Sequence, residues 1–231
     1  MNQPLNMKNM KNLVWIFLLM TVCSNAQPLI NYNPTPYAVC DTDQNGFSNF
    51  DLLTKNAEIL NGESPVQYEL TYHETTSDAF SDVNSINTGV PYTNINPFSQ
   101  TLWVRVEEIS DPTNFVTTTL SLLVNAAPVV GPIPNLSVYE NPFDGAAVFD
   151  LTSHENVITN GVAGLTVVFY HTQVDAEIQA NAIPFANTYN GVDQEVIWVN
   201  VQNTATSCFT VSSFTLRVFD SSTILFFLMR I

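Results

Sequence analysis

The sequence predicts an all-β protein: two tandem immunoglobulin-like β-sandwich modules joined by a proline-rich linker, after a signal peptide. Three observations predict it. One series of short motifs occurs twice in the same order. Apolar and polar residues alternate along several segments of each copy, and turn-forming residues separate those segments. A length of 231 residues accommodates two modules of ordinary size. With 45% hydrophobic and 11% aromatic residues the chain can fill its cores, which excludes wholesale disorder.

The repeat sets the organisation. Phe50-Asp51-Leu52 returns as Phe149-Asp150-Leu151 after 99 positions, Tyr72-His73 as Tyr170-His171 after 98, and Asp78-Ala79 as Asp175-Ala176 after 97. Trp103-Val104-x-Val106 returns as Trp198-Val199-x-Val201 after 95, and Leu122-x-Val124 as Leu216-x-Val218 after 94. An offset that falls steadily is what single-residue losses in loops produce while a core is kept.

Within the copies, alternation predicts strands at 66–72, 102–106 and 120–124, then at 165–170, 196–201 and 209–218. Asn61-Gly62, Asn87-Thr88-Gly89, Asn160-Gly161 and Asn190-Gly191 supply turns. Residues 55–60 and 77–83 suit short helical turns only. The expected layout is a signal at 1–26, a proline-rich lead-in at 27–37, repeat one at 38–125, a proline-rich linker at 126–135, repeat two at 136–220 and an atypical apolar tail at 221–231. Proline-rich joints act as semi-rigid spacers.

The first segment has the three-part layout of an export signal: Lys8 and Lys11, an apolar run from Leu13 to Val22, then Ser24-Asn25-Ala26 before Gln27. That run is shorter than the ~20 residues a membrane span needs, so no span is expected after cleavage. A lipid anchor on Cys23 is the alternative, and Val22 is bulky for the position before it. The chain has 6 Lys+Arg against 21 Asp+Glu, a net charge of -15. Without Lys8 and Lys11 it keeps four bases and all the acids, or -17. Such charge repels phosphate backbones and excludes nucleic acid as a partner.

The sharpest candidate for chemistry runs from Asp41 to Asp51. Asp41, Asp43 and Asn45 stand at positions 1, 3 and 5, Gly46 at 6, the Phe47 carbonyl at 7 and Asp51 at 11. Hard oxygens converging around a glycine turn are what Ca2+ takes. Leu52 replaces the usual acid at position 12, so this is no EF-hand. Copy two keeps Glu140, Asp144-Gly145 and Asp150, with Pro142 in place of the second acid. The competing reading is a polar connection closed by Asn45-Gly46, with Asp51 capping a helical turn.

Other residues read as structural. His73 and His171 occupy equivalent positions, and an active site is seldom built twice. His154 lacks the second histidine of a zinc helix. Trp103 and Trp198 match, which favours core packing. Glu107-Glu108 reads as a solvated strand end. A nucleophile elbow and a phosphate-cradling glycine loop are both missing from the sequence, which points away from an enzyme. Besides Cys23, the cysteines are Cys40 and Cys208, one per copy. Bridging them across a stiff joint needs Cα atoms within ~7 Å, so unpaired or intermolecular thiols are the expectation.

Cys40-Asp41, Phe50-Asp51-Leu52, Tyr72-His73, Asp78-Ala79, Tyr92-Thr93-Asn94 and Trp103-Val104-Arg105-Val106 together resemble the tandem repeats of large secreted surface proteins of Bacteroidetes. The resemblance covers roughly residues 38–124 and 136–218. In that family such repeats usually precede a type B sorting domain of the type IX secretion system, the gliding-associated C-terminal domain. This sequence does not include it, which leaves the periplasm open beside the cell surface. The resemblance also implies an intra-domain cysteine pair, of which each copy holds one half: Tyr139 stands where Cys40 does, and Asn114 where Cys208 does.

The expected function is therefore a non-enzymatic secreted or cell-surface repeat protein, an adhesin-like or structural stalk segment, with an extracellular protein or glycan as ligand. The alternative is a pair of carbohydrate-binding modules in a polysaccharide-utilising system, with Tyr32, Tyr37 or Tyr92 stacking on sugars.

Overall fold

The computed structural model describes residues 26–221. All but the last residue of the expected export signal and all but the first residue of the apolar tail lie outside them. The fold is all-β with a few short helices. Repeat one comprises β1 (Tyr37–Asp41), β2 (Asn49–Phe50), α1 (Asn56–Leu60), β3 (Tyr68–His73), α2 (Thr76–Ser81), β4 (Tyr92–Thr93), β5 (Ser99–Glu108) and β6 (Asp111–Ala126). Repeat two comprises β7 (Leu136–Glu140), β8 (Ala146–Phe149), α3 (Glu155–Ile158), β9 (Leu165–Tyr170), α4 (Gln173–Ile178), β10 (Tyr189–Val192), β11 (Val196–Asn203) and β12 (Phe209–Asp220).

The two repeats build the same sandwich. One sheet has the order β1-β6-β5-β3 and is matched by the two-stranded sheet β2-β4; the other has β7-β12-β11-β9 and is matched by β8-β10. In repeat two β11 pairs antiparallel with both neighbours, and β7 runs parallel to β12. Leu102, Val104, Val106, Leu120 and Leu122 are fully buried, as are Ile197, Val199, Val201 and Leu216. Facing them, Phe50 and Phe149 come from the small sheets and Leu52 and Leu151 from the 3-10 turns that follow. That is why Phe-Asp-Leu recurs: two apolar anchors flank a polar corner.

The Asp-Ala motif has an equally local cause. Thr75 and Thr172 cap α2 and α4, accepting bonds from the backbone N–H of Asp78 and Asp175. Each aspartate carboxylate then accepts from its capping threonine and from Asn84 or Asn181. These hydrogen bonds, threonine first, hold both carboxyl groups below the usual range. Ala79 and Ala176 are fully buried. Arg105 and Asn200, equivalent on β5 and β11, both donate to the carbonyl of that alanine.

Several expectations change. The strand expected from Val66 begins at Tyr68, and Val66 is exposed. Trp103 and Trp198 are half-buried, because the inward positions of their strands go to Leu102, Val104, Ile197 and Val199. Glu107 is buried with its carboxylate 2.6 Å from Arg105 Nε, not solvated. His73 is buried, its ring nitrogens on Val83 O and Thr71 Oγ1. His171 is instead exposed, near Tyr189 and Glu195.

Ile197 is fully buried while its neighbour Val196 is 43% exposed. Ile197→Ala should therefore cost about 2–5 kcal/mol and Val196→Ala at most about 0.5 kcal/mol, read from urea unfolding.

Candidate functional site

A disulfide and a dense set of hydrogen bonds lie together at the end of β1. Cys40 is the fourth residue of this strand and forms a disulfide with Cys208, which sits just ahead of β12. Their Cα atoms are 5.5 Å apart, within bridging range. Both lie in one compact unit of the chain, which among the described residues comprises 38–49, 93–100 and 123–221. The other unit holds residues 26–37, 50–92 and 101–122.

This overturns the expectation of unpaired or intermolecular thiols. Proline content stiffens a joint but does not fix how far apart two side chains beyond it come to rest. The half-cystines are seated by the backbone around them. Ala127 N–H donates to Asp41 O at 2.8 Å and Gln44 Nε2 to Ala127 O at 3.2 Å. Thr210 Oγ1 donates to Pro128 O at 2.6 Å, and Asn203 N–H to Cys208 O at 2.8 Å. The bond closes a sequence separation of 168. Restricting so large a loop in the unfolded chain stabilises the fold by about 5 kcal/mol in the chain-entropy account.

The acidic loop follows directly. Asp41 is buried, and Oδ1 accepts from the backbone N–H of Asp43 and Gln44 while Oδ2 accepts from Gly46 N–H at 2.8 Å. Asp43 accepts from Asn45 N–H and Nδ2, and Asn45 Oδ1 from Phe47 N–H. Gln44 and Gly46 both take positive φ, and a Cβ on Gly46 would meet Phe98 N and Pro97 Cβ at 2.9 Å, so glycine is required there. Asn94, from the chain beyond β4, ties the loop down: its Nδ2 donates to Gly46 O and its Oδ1 accepts from Ser48 N–H.

The amide hydrogens thus point at the oxygens proposed for Ca2+. Three bonds already fill most of the lone pairs of Asp41, and Asp43 and Asn45 are turned to their own turns. Asp51 stands apart at the start of the 3-10 turn, its side chain making no cap bond, whereas the equivalent Asp150 accepts from Thr152 N–H. Phe47 is part-exposed. Among the described residues no three His, Cys, Asp or Glu side chains gather as a metal set. In this conformation Asp41, Asp43 and Asn45 share one network of backbone amides, and Asp51 is not part of it. Asn94 and Gln44 are the members of the loop network that pattern reading missed; Tyr-x-Asn was visible as a motif, but not its target.

The tyrosines considered for sugar stacking are dispersed in role. Tyr32 is 54% exposed. Tyr37 packs edge-on against Phe50 and lies beside Lys55, and Tyr92 Oη donates to Glu74.

The Gly46 amide, above the other loop donors, holds the Asp41 carboxyl below its ordinary value. A depressed carboxyl stabilises the fold above its unfolded value of about 3.9 and stops doing so as pH falls through the folded value. Asp41→Asn should melt below the wild type at pH 7. That gap should close as the pH is lowered beneath about 4, as followed by circular dichroism; a constant gap would show that charge is not the cause.

Comparison with solved structures finds distant likenesses to several multi-domain chains. The I67–I69 fragment of titin is 11% identical over 65% of this chain and 55% of that one, with a TM-score of 0.27. Sidekick-1 immunoglobulin domains 1–4 are 11% identical over 82% and 51%, at 0.25. Drosophila OTK extracellular domains 3–5 are 10% identical over 82% and 61%, at 0.30. This chain therefore spans only part of each. Among proteins of curated function there is no match. Residues 36–128 and 135–222 each match one family, and with both copies matched the chain belongs to it: the Flavobacterium inter-domain disulphide bond domain family.

Proposed function

We propose that this chain is a non-enzymatic, load-bearing segment of a secreted or cell-surface protein. The observation that carries the reading is the Cys40–Cys208 bond, which closes a separation of 168 residues. Load entering through β1 passes across the bond to β12, so the covalent path bypasses nearly the whole of both repeats. Stripping β1 and β12 from their sheets would lengthen the chain only by the short stretches outside Cys40 and Cys208. A stalk with that wiring limits its own extension.

One further point supports the placement: structural disulfides persist in oxidising compartments outside the cytosol. Membership of a flavobacterial repeat family is consistent with display by the type IX route, which belongs to this proposal. The amide network around Asp41 supplies stiffness at the strand end.

Pulling single molecules by their ends tests the wiring. The oxidised chain should withhold the enclosed residues. Addition of reductant, or Cys40→Ser, should release about 590 Å more contour for the 168-residue separation. Equal extension with and without reductant would overturn the load path. Thermal melts in calcium and in EDTA should coincide, and a calcium-dependent rise abolished by Asp43→Ala would restore a cation to the acidic loop.

A further inference from the structure

We propose that Cys40 Sγ is a thiol-modification site: a small cationic thiol opens the Cys40–Cys208 bond by attacking that sulfur rather than its partner. The inference is read from the surroundings of the bond and stands whether or not the segment bears load.

The two half-cystines are unequal. Cys40 is exposed on β1, whereas Cys208 is fully buried ahead of β12. Exchange needs the entering sulfur in line with the bond it breaks, so the sulfur that solvent reaches is the one attacked. Approach from outside therefore leads to Cys40, with Cys208 as the leaving group. The entering thiolate bonds to Cys40 Sγ, the Cys40–Cys208 bond breaks, and its electron pair stays on Cys208, which takes a proton from water. The entering sulfur is oxidised and Cys208 is reduced, so the step balances with no other oxidant or reductant. The released thiol has an acceptor in place, because Cys208 Sγ lies 3.7 Å from Asn125 O and S–H is a weak donor.

A cleft adjoins the bond. Its volume is about 480 Å³, and its walls include Thr42, Gln44, Val129, Glu177, Phe209 and Thr210. All of them lie in the compact unit that contains both cysteines. Thr42 is two residues beyond Cys40, and Phe209 directly follows Cys208. A space of this size takes a small molecule. Glu177 is its charged wall residue and is exposed. Among the described residues the bases are Lys55, Arg105 and Arg217, each already paired with an acid, and the chain as a whole carries -15. An anionic thiol is repelled on approach and a cationic one is drawn in.

The opened state is built to close again. Ala127 N–H on Asp41 O, Gln44 on Ala127 O and Thr210 on Pro128 O seat both strand ends without sulfur. Cys208 thus stays beside Cys40, and its return attack is intramolecular, so it expels the small thiol once free thiol is removed.

The test treats the unaltered chain with cysteamine, traps free thiols early with N-ethylmaleimide at mildly acid pH and maps pepsin fragments by mass spectrometry. The expected product carries cysteamine on Cys40 and maleimide on Cys208, in about tenfold excess or more over the reverse. Cysteamine on Cys208, or on both equally, would overturn the site. Rates with cysteamine, mercaptoethanol and mercaptoethanesulfonate, each divided by its rate with hydroxyethyl disulfide, then test the charge. They should fall severalfold in that order at low salt and converge as salt is added, and Glu177→Gln should narrow the spread. Equal corrected rates, or a spread indifferent to Glu177→Gln, would overturn the preference for a cationic thiol.

Discussion

Burial of one apolar stripe on the central strand pair of each repeat is the constraint from which the remainder follows. Leu102, Val104 and Val106 with Leu120 and Leu122 form it in repeat one, and Ile197, Val199 and Val201 with Leu216 in repeat two. A strand shifted by one residue would turn this stripe to solvent. Register is thereby set, and the other parts are placed against it: Phe50 and Phe149 from the small sheets, the capped helices whose alanines pack without a gap, and Gly191. A Cβ there would meet the Leu216 side chain, which would have to shift.

On that frame the disulfide acts as a separate, topological constraint. Packing stabilises each repeat by short-range contact, whereas the bond acts on the unfolded chain by closing a very large loop. The nearby hydrogen bonds of Asp41, Gln44 and Thr210 seat the two strand ends on either side of it.

Divergence between the copies is concentrated where the fold permits it. Arg105 and Asn200 differ in size and charge yet donate to the same alanine carbonyl. Arg105 also stacks on Phe115, 3.5 Å from the ring centroid, and pairs with Glu107. His73 is built into the interior, while His171 meets Tyr189 at the surface. Cys40 and Tyr139 share a position on equivalent strands, one committed to a covalent bond and one left exposed. Backbone equivalence therefore carries over fold but not role.

The sequence by itself determined the all-β class, the doubling of the unit and the central strands, because a period of two and a repeated motif order are properties of the chain alone. It also contained Phe-Asp-Leu and Asp-Ala, whose causes are local capping and anchoring. Only tertiary structure decided the pairing of Cys40 with Cys208, since a separation of 168 residues carries no information about a 5.5 Å approach. The same holds for the acidic loop. Spacing supplied oxygens that suited a cation, but the direction of each lone pair is set by backbone φ at Gln44 and Gly46 and by Asn94 arriving from 46 residues away. Two-residue strands such as β2 and β4 left too short a pattern to detect, and they exist because the larger sheet offers them an apolar face to cover.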